Sequence, residues 1–386
     1  MLTNVLPQPQ DEGKKHQIEF YAICLGFFII GMSFSTWASR VPDVRDAAFL
    51  TAATLGYVLL MRGVGNIVMM PILTVAIGKF GARNLALFMG GIVSLILIPI
   101  AFIHHWVGLA LMLFMVGFFS SGYNISINAL GAKLEADTGR SHMSKIHSWF
   151  GVGNLTGALL GTAATSIGIS TQVHFIGASV LMITILILIS GYLPKDAPHP
   201  DAPRQKFVWP HGGLIALGII VFLASSIEAS IMNWVGLFFT DYIKAVDGFA
   251  PIGYAMYAGS MLLMRVFGDH LKSRYGAKHV LIVGNVVAAS GIFISVFIPN
   301  IYTGAFGLFL TGAGIALNFP LVFSAAGREG AIALTSVATF GYFGAMLSQP
   351  VMGAITTEFQ LSGAFIFLAL SSVAVSVLSW RSGMLK

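Results

Sequence analysis

Apolar stretches long enough to cross a bilayer follow one another along almost the whole chain, and nothing constrains its fold more. About twenty apolar residues are needed to traverse about 30 Å of hydrocarbon. Twelve stretches qualify: 18–38, 52–77, 85–103, 107–130, 146–168, 173–193, 212–238, 250–271, 280–298, 302–325, 332–354 and 361–380. The second, seventh and eighth are long enough to tilt or to run past the lipid. Within lipid only helices or closed barrels satisfy their backbone polar groups, and segments of this length predict an all-α membrane protein with twelve transmembrane helices. Charged residues make up only 9% of the chain, against roughly 25% in soluble domains. The 44 glycines suit helices that pack closely where no hydrophobic force drives them together. The single cysteine, Cys24, lies in an apolar run and excludes an intramolecular disulfide.

Lysine and arginine placement predicts orientation. With both ends inside, the inner segments carry Lys14, Lys15, Lys79, Arg83, Lys133, Arg140, Lys145, Lys195, Arg204, Lys206, Lys272, Arg274, Lys278, Arg328, Arg381 and Lys386. The outer loops hold only Arg40, Arg45 and Lys244. That asymmetry is a positive-inside signal and places both termini in the cytoplasm of a bacterial inner membrane. The net charge of +6 is therefore a topology signal and not a nucleic-acid footprint. The run after Lys14 and Lys15 continues for some twenty residues, and an even span count requires it, so it reads as a retained helix and not a cleaved leader.

A seven-residue phrase occurs twice, 195 residues apart: Gly78-Lys79-Phe80-Gly81-Ala82-Arg83-Asn84 and Ser273-Arg274-Tyr275-Gly276-Ala277-Lys278-His279. Cation matches cation, aromatic matches aromatic, and the Gly-Ala pair is identical. Parallel repeats of helices are how many transporters build two halves that rock about a shared site. The longest polar interruption, Pro194 to Lys206, carries four prolines and mixed charge, which excludes a helix and predicts a semi-rigid linker. The expected organisation is a tail at 1–17, a six-helix bundle at 18–193, a cytoplasmic linker at 194–211, a second bundle at 212–380 and a tail at 381–386.

With this repeat, the chain resembles the major facilitator superfamily over nearly its whole length. The basic turn after spans two and eight is similar to that family's signature loop, Gly-x-x-x-Asp-Arg-x-Gly-Arg-Arg. Lys79, Gly81 and Arg83 match it in the first half; Arg274, Gly276 and Lys278 match it in the second. The family aspartate is replaced by Gly78 and Ser273, and its first glycine by Thr74 and Asp269. The resemblance implies a gating loop that pairs with neighbouring helix ends, with Asp269 as a partial substitute in the second half. Finer features resemble a bacterial branch related to the fucose permeases. They include Trp37-Ala38-Ser39-Arg40-Val41-Pro42, Gly122-Tyr123-Asn124 with Asn128, Glu228-Ala229-Ser230 with Asn233-Trp234, and Arg265-x-x-Gly268-Asp269. That branch implies a sugar or sugar-like polyol as cargo, but the family's fucose permease carries a carboxylate where this chain has Asn124, so fucose itself does not follow.

Buried polar groups mark the candidate site. Glu228 is the one carboxylate deep inside a predicted span, about 24 Å along span seven at 1.5 Å per residue. A charge at mid-bilayer costs at least about 2.5–3.5 kcal/mol, so this group faces a cavity, finds a partner or takes up a proton. It is the candidate for proton coupling; the plainer alternative is a neutral acid bonded between helices. Arg62, midway along span two, cannot lose its proton and needs an anion, carbonyls or water; it reads as a substrate ligand or as a structural and gating group. Arg265 and Asp269 stand four residues apart on one helix and predict an intrahelical ion pair beside the basic turn.

Ser120, Asn124 and Asn128 recur every four residues along one face of span four, with Tyr123 beside them. Span ten, the counterpart by the same offset, places Asn318 opposite Tyr123, followed by Pro320, which frees a carbonyl and bends the helix. Interrupted helices at matched depths point to a binding site. Asn154, Gln349, Trp37, Asn233 and Trp234 complete the expected cavity set, although any one amide serves equally well as interhelical glue. Gly153, Gly157 and Gly161 predict a close-packed helix face.

No nucleotide-binding loop, catalytic triad or metal-ligand spacing is present in the sequence, so no enzyme activity and no cofactor are expected. The reading is a monomeric secondary transporter working by alternating access, whose partners are a small hydrophilic solute, protons and the lipid bilayer, with no nucleic acid. Proton-coupled symport is the first expectation. A proton-driven efflux antiporter for drugs or amphipathic metabolites, with a cavity lined by aromatics in place of amides, is the nearer alternative. A non-transporting membrane receptor or enzyme is the more distant one.

Overall fold

The structure is a computed structural model that describes residues 9–140, 142–196, 212–246 and 249–385. The described residues form helices α1 Pro9–Ala38, α2 Val41–Ala47, α3 Ala52–Phe80, α4 Ala82–Leu95, α5 Leu97–Ile100, α6 Trp106–Thr138, α7 Met143–Ser166 and α8 Thr171–Ser190. There follow α9 Gly213–Leu237, continued by a π turn at Phe238–Tyr242, then α10 Ile252–Phe297, α11 Ile301–Ile315, α12 Asn318–Gly327 and α13 Ala331–Arg381. Starts are set by side chains that accept otherwise orphaned backbone N–H groups. Thr51 caps α3, Ser170 caps α8 and Asn300 caps α11.

Nine helices among the described residues are long and apolar enough to cross a membrane, against the twelve passes expected. The difference has a geometric source. Helices α10 and α13 are 46 and 51 residues long, and each contains one residue that no helix accommodates: Gly276 at φ 78°, ψ 152° and Gln360 at φ 60°, ψ −179°. Helix α7 has membrane length at 24 residues but is not among the nine, being rich in Gly, Ser, Thr and Asn. The short α2, on the loop between α1 and α3, was not expected; Pro42 starts it and Asp43 sits in its first turn. Most of the proline-rich linker, residues 197–211, lies outside the described residues, and so do Arg204 and Lys206.

The duplication is written in the backbone. Gly81 has φ 76°, ψ 154° and Gly276 has φ 78°, ψ 152°, the same left-handed conformation at the same place in the two phrases, where a side chain would be strained. Helix crossings repeat as well. A Cβ added at Gly117 would lie 1.9 Å from the Arg62 carbonyl oxygen, and one at Gly312 would lie 2.3 Å from that of Tyr257; both pairs are related by the offset of 195. Gly153 likewise meets the Phe28 carbonyl oxygen at 2.1 Å, and Gly344 meets that of Phe222 at 2.1 Å.

Helix partners follow the same symmetry. Helix α1 packs on α7 as α9 packs on α13, and α3 packs on α6 as α10 packs on α11. Between the halves, α3 meets α13 and α7 meets α10, one contact being the image of the other when the halves are exchanged. The expected glycine face on α7 exists: Gly157 and Gly161 leave room for the hydroxyl oxygens of Ser35 on α1 and of Ser39 just past its end, each 2.2 Å from where a Cβ would stand.

Candidate functional site

A cavity of about 440 Å³ lies between the two halves. Arg62 and Asn66 of α3, Asn124 of α6, and Ser225, Glu228 and Asn233 of α9 give it polar groups. Phe34, Phe150, Phe319, Phe323 and Tyr342 supply aromatic wall. Asn66 is one helical turn from Arg62, so both reach the cavity from one face of α3. The wall continues through Phe323 and Ala338 towards the end of the molecule that bears the basic turns, and Asn124 is exposed there.

The opposite end is shut. Across the two halves Trp37 Nε1 donates to Asn233 Oδ1 at 3.2 Å, and Arg45 of α2 forks onto the Asp241 carboxylate, with Nη2 3.2 Å from Oδ1. Deeper in, the Tyr254 hydroxyl donates to Asn154 Oδ1 at 2.8 Å. Trp234 is fully buried and donates to Gln349 Oε1 at 3.2 Å, and Asn233 Nδ2 donates to the same oxygen at 3.4 Å. Helix α3 presses its Gly56 against the Gln349 carbonyl of α13, and Gly236 meets the Pro42 ring. The three side-chain bridges between the halves named above, Trp37–Asn233, Arg45–Asp241 and Asn154–Tyr254, lie on this side of the cavity.

Several expected cavity residues sit elsewhere. Asn318 is buried and exchanges amide hydrogen bonds with Asn285 at 2.8 and 3.2 Å; it joins α12 to α10 and does not reach the cavity. Asn154 is held by Tyr254, and the fully buried Tyr123 donates to the Gly26 carbonyl at 3.2 Å, wedged against Gly90. Trp37 and Trp234 are buried at the closed end and are not among the residues lining this cavity. Asn128 donates to Asn124 Oδ1 at 2.5 Å and stands behind it. Apart from Asn128, whose partner is on its own helix, these side chains are paired by neighbouring helices, whose rotation the spacing within one helix does not reveal. Of the expected set, Arg62, Asn124, Asn233, Gln349 and Glu228 line the cavity. The interruption expected in span ten is present between α11 and α12, just before Pro320, whereas its counterpart α6 runs unbroken.

Arg265 Nη2 stands 3.8 Å from Glu228 Oε1, joining α10 to α9 at mid-depth, and its Nε donates to the Ala316 carbonyl at 3.5 Å. Arg265 thus has an interhelical acid as partner; the expected Arg265–Asp269 pair involves a side chain, that of Asp269, outside the described residues. Tyr254 and Tyr257, which the sequence reading passed over, stand within electrostatic reach of Glu228 and Arg265, and the Tyr257 hydroxyl is buried without a partner. Arg62 is otherwise placed. Its guanidinium lies 3.5 Å over the Phe34 ring centroid, a cation–π contact.

The basic turns stitch each half to itself. Arg83 Nη2 donates to the Ser190 carbonyl at 2.8 Å, and Lys278 Nζ donates to the Ser382 carbonyl at 3.4 Å; each bond ties the turn to the end of the last helix of its own half. Asp196, just past α8, accepts from the backbone N–H groups of Ala82 and Arg83 and caps α4. It supplies the carboxylate that the first turn lacks, from a place no loop motif marks. Lys79 and Arg274 are exposed, and Arg274 stands 5.4 Å over the Tyr275 ring.

Comparison with known proteins fits this geometry. The profile of the Major Facilitator Superfamily matches residues 23–242. An uncharacterized MFS-type transporter of Yersinia pestis is 30% identical over 383 residues, which are 97% of this chain and 98% of that protein. The chain belongs to the Major Facilitator Superfamily. As a member it is a multi-pass membrane transporter and not an enzyme. Membrane protein MosC of Rhizobium meliloti is 25% identical over 95% of this chain and 90% of its own. Among solved structures, the nucleoside transporter NupG superposes with a TM-score of 0.76 at 16% identity, covering 94% of this chain and 99% of its own. The fucose:proton symporter of E. coli superposes with a TM-score of 0.64 at 15% identity, covering 96% of this chain and 99% of its own. At these identities the likeness speaks for the fold alone.

Proposed function

We propose that this superfamily member is a proton-coupled symporter of a small hydrophilic, sugar-like solute, crossing the inner membrane twelve times with both termini in the cytoplasm and acting as a monomer. The breaks at Gly276 and Gln360 would divide α10 and α13 into two passes each, and α7 would supply another. The observation that carries the reading is the cavity: enclosed at the end away from the basic turns, polar at mid-depth, and holding the Glu228 carboxyl against Arg265.

In the proposed cycle the solute is held by cavity groups between the halves, which rock about it. Glu228 takes up a proton from the outer side, which frees Arg265 from its partner, and gives the proton up inside. Opening the outer end requires the Trp37–Asn233, Arg45–Asp241 and Asn154–Tyr254 bonds to part together, because all of them bridge the halves. The test is uptake into proteoliposomes under an imposed inward proton gradient. Wild type accumulates solute, and Glu228→Gln loses accumulation but keeps exchange. Unchanged gradient-driven uptake in that variant would remove Glu228 from coupling.

One observation favours a second reading. The aromatic side chains on the cavity wall, with Met232 and Met346 beside them, suit amphipathic cargo, as in an efflux antiporter. Outward movement of a dye against its gradient, with no inward accumulation of polar solutes, would select it.

A further inference from the structure

Resting on the reading that the cavity is the solute site, we propose that its cargo is an anion: a small hydroxylated carboxylate whose charged group is held by the Arg62 guanidinium. Arg62 and Arg265 are the two arginines within the predicted spans, and their circumstances differ. Arg265 has a carboxylate partner at 3.8 Å. No carboxylate or hydrogen-bond acceptor engages the Arg62 guanidinium among the described residues; the one titratable group acting on it is the Tyr254 phenol, whose proton is already given to Asn154. Arg62 is 8% exposed, and what it exposes faces the cavity. A permanent charge inside a membrane protein without a fixed counter-ion calls for a mobile one.

Its geometry selects the kind of anion. The Phe34 ring covers one face of the guanidinium, and all five N–H donors of that group lie in its plane. Stacking fixes the plane and leaves the donor edges free of protein acceptors, the arrangement that grips a planar carboxylate with two parallel bonds. Charge points the same way. With Glu228 ionised, the two arginines and one carboxylate leave a single positive charge, which a monoanion neutralises. A phosphate dianion would need a second free cation, and Arg265 is engaged.

Nearby amides account for the hydroxyl groups. Asn124 Oδ1 accepts from Asn128, so its own N–H donors remain for the cavity, and Asn66 has no bond to the protein among the described residues. Both amides suit hydroxyls of a polar chain or ring.

Thermal melting of the purified full-length protein in detergent tests this at constant ionic strength. The probes are D-gluconate and D-glucuronate, their neutral counterparts D-glucitol and D-glucose, and D-glucose 6-phosphate. The acids should raise the melting temperature of wild type in a saturable manner, while the neutral compounds leave it unchanged. Arg62→Gln should weaken the apparent affinity for the acids at least about tenfold, and Arg62→Lys, which keeps the charge but loses the fork, should fall between. Equal stabilisation by neutral sugars, preference for the phosphate, or an undiminished response in Arg62→Gln would overturn the assignment, as would no response to either acid. The wild-type comparison of acids with neutral sugars decides even where Arg62→Gln fails to fold. Stabilisation by neutral sugars alone would sink the anion and leave the carrier standing; only failure of gradient-driven uptake would sink the carrier.

Discussion

Replacing Gly117 by alanine should force α3 and α6 apart. The added Cβ would lie 1.9 Å from the Arg62 carbonyl oxygen and 3.1 Å from its Cα, where a carbon–oxygen contact normally needs about 3.3–3.6 Å. The obstacle is backbone, so no rotamer change relieves it, and the axes must separate by about 1.5 Å. Overpacking of this kind costs about 1–3 kcal/mol, offset by up to about 1 kcal/mol for replacing glycine within a helix. A net loss of about 1–2 kcal/mol is therefore expected. Gly312→Ala, its counterpart in the second half, meets the Tyr257 carbonyl oxygen at 2.3 Å and a Ser260 hydroxyl that can turn away, so its loss should be smaller. Gly91→Ala has nothing within 4 Å and should be neutral or slightly stabilising. Melting of the three variants in detergent should rank them Gly91→Ala, Gly312→Ala, Gly117→Ala from most to least stable. Gly117→Ala melting at or above Gly91→Ala would refute the close crossing and the repeat built on it.

Two further outcomes follow from the ends of the molecule. Asp196→Ala removes a charged acceptor from the first N–H groups of α4 and should lower stability by about 1–2 kcal/mol, read as an earlier melt; an unchanged melt would mean that Asp196 is not the cap. Asp241→Asn removes one side of a half-exposed ion pair worth about 1 kcal/mol at most; because that pair bridges the halves only at the closed end, the variant should label more readily from outside at a cavity cysteine, while labelling equal to wild type would deny Arg45–Asp241 a closing role.

The repeat was legible because it is local. Glycine, a cation and an aromatic at fixed spacing dictate one turn, and Gly81 and Gly276 adopt it within a few degrees. Membrane helices were legible because apolar length is a property of the segment alone. Pairing between segments was not. Spacing within one helix could not show that packing of α10 on α9 brings Arg265 to Glu228. In the same way Asn318 looked like a cavity amide until α10 supplied Asn285. Arg62 was visible as an anomaly from the sequence, and its free edges and Phe34 stack became visible only when α1 and α3 were placed together. Asn66 carried a readable signal, one turn from Arg62 on the same face, and was passed over.

The central claim is a cavity reached from the cytoplasmic side while the outer end is closed. Asn124→Cys offers a direct probe, because the one native cysteine, Cys24, is buried and should be silent. A membrane-impermeant maleimide applied to inside-out vesicles should modify the introduced thiol rapidly, and the same reagent on right-side-out vesicles should modify it far more slowly. Fast modification from the outside with protection from the inside, or no modification from either face, would contradict the account.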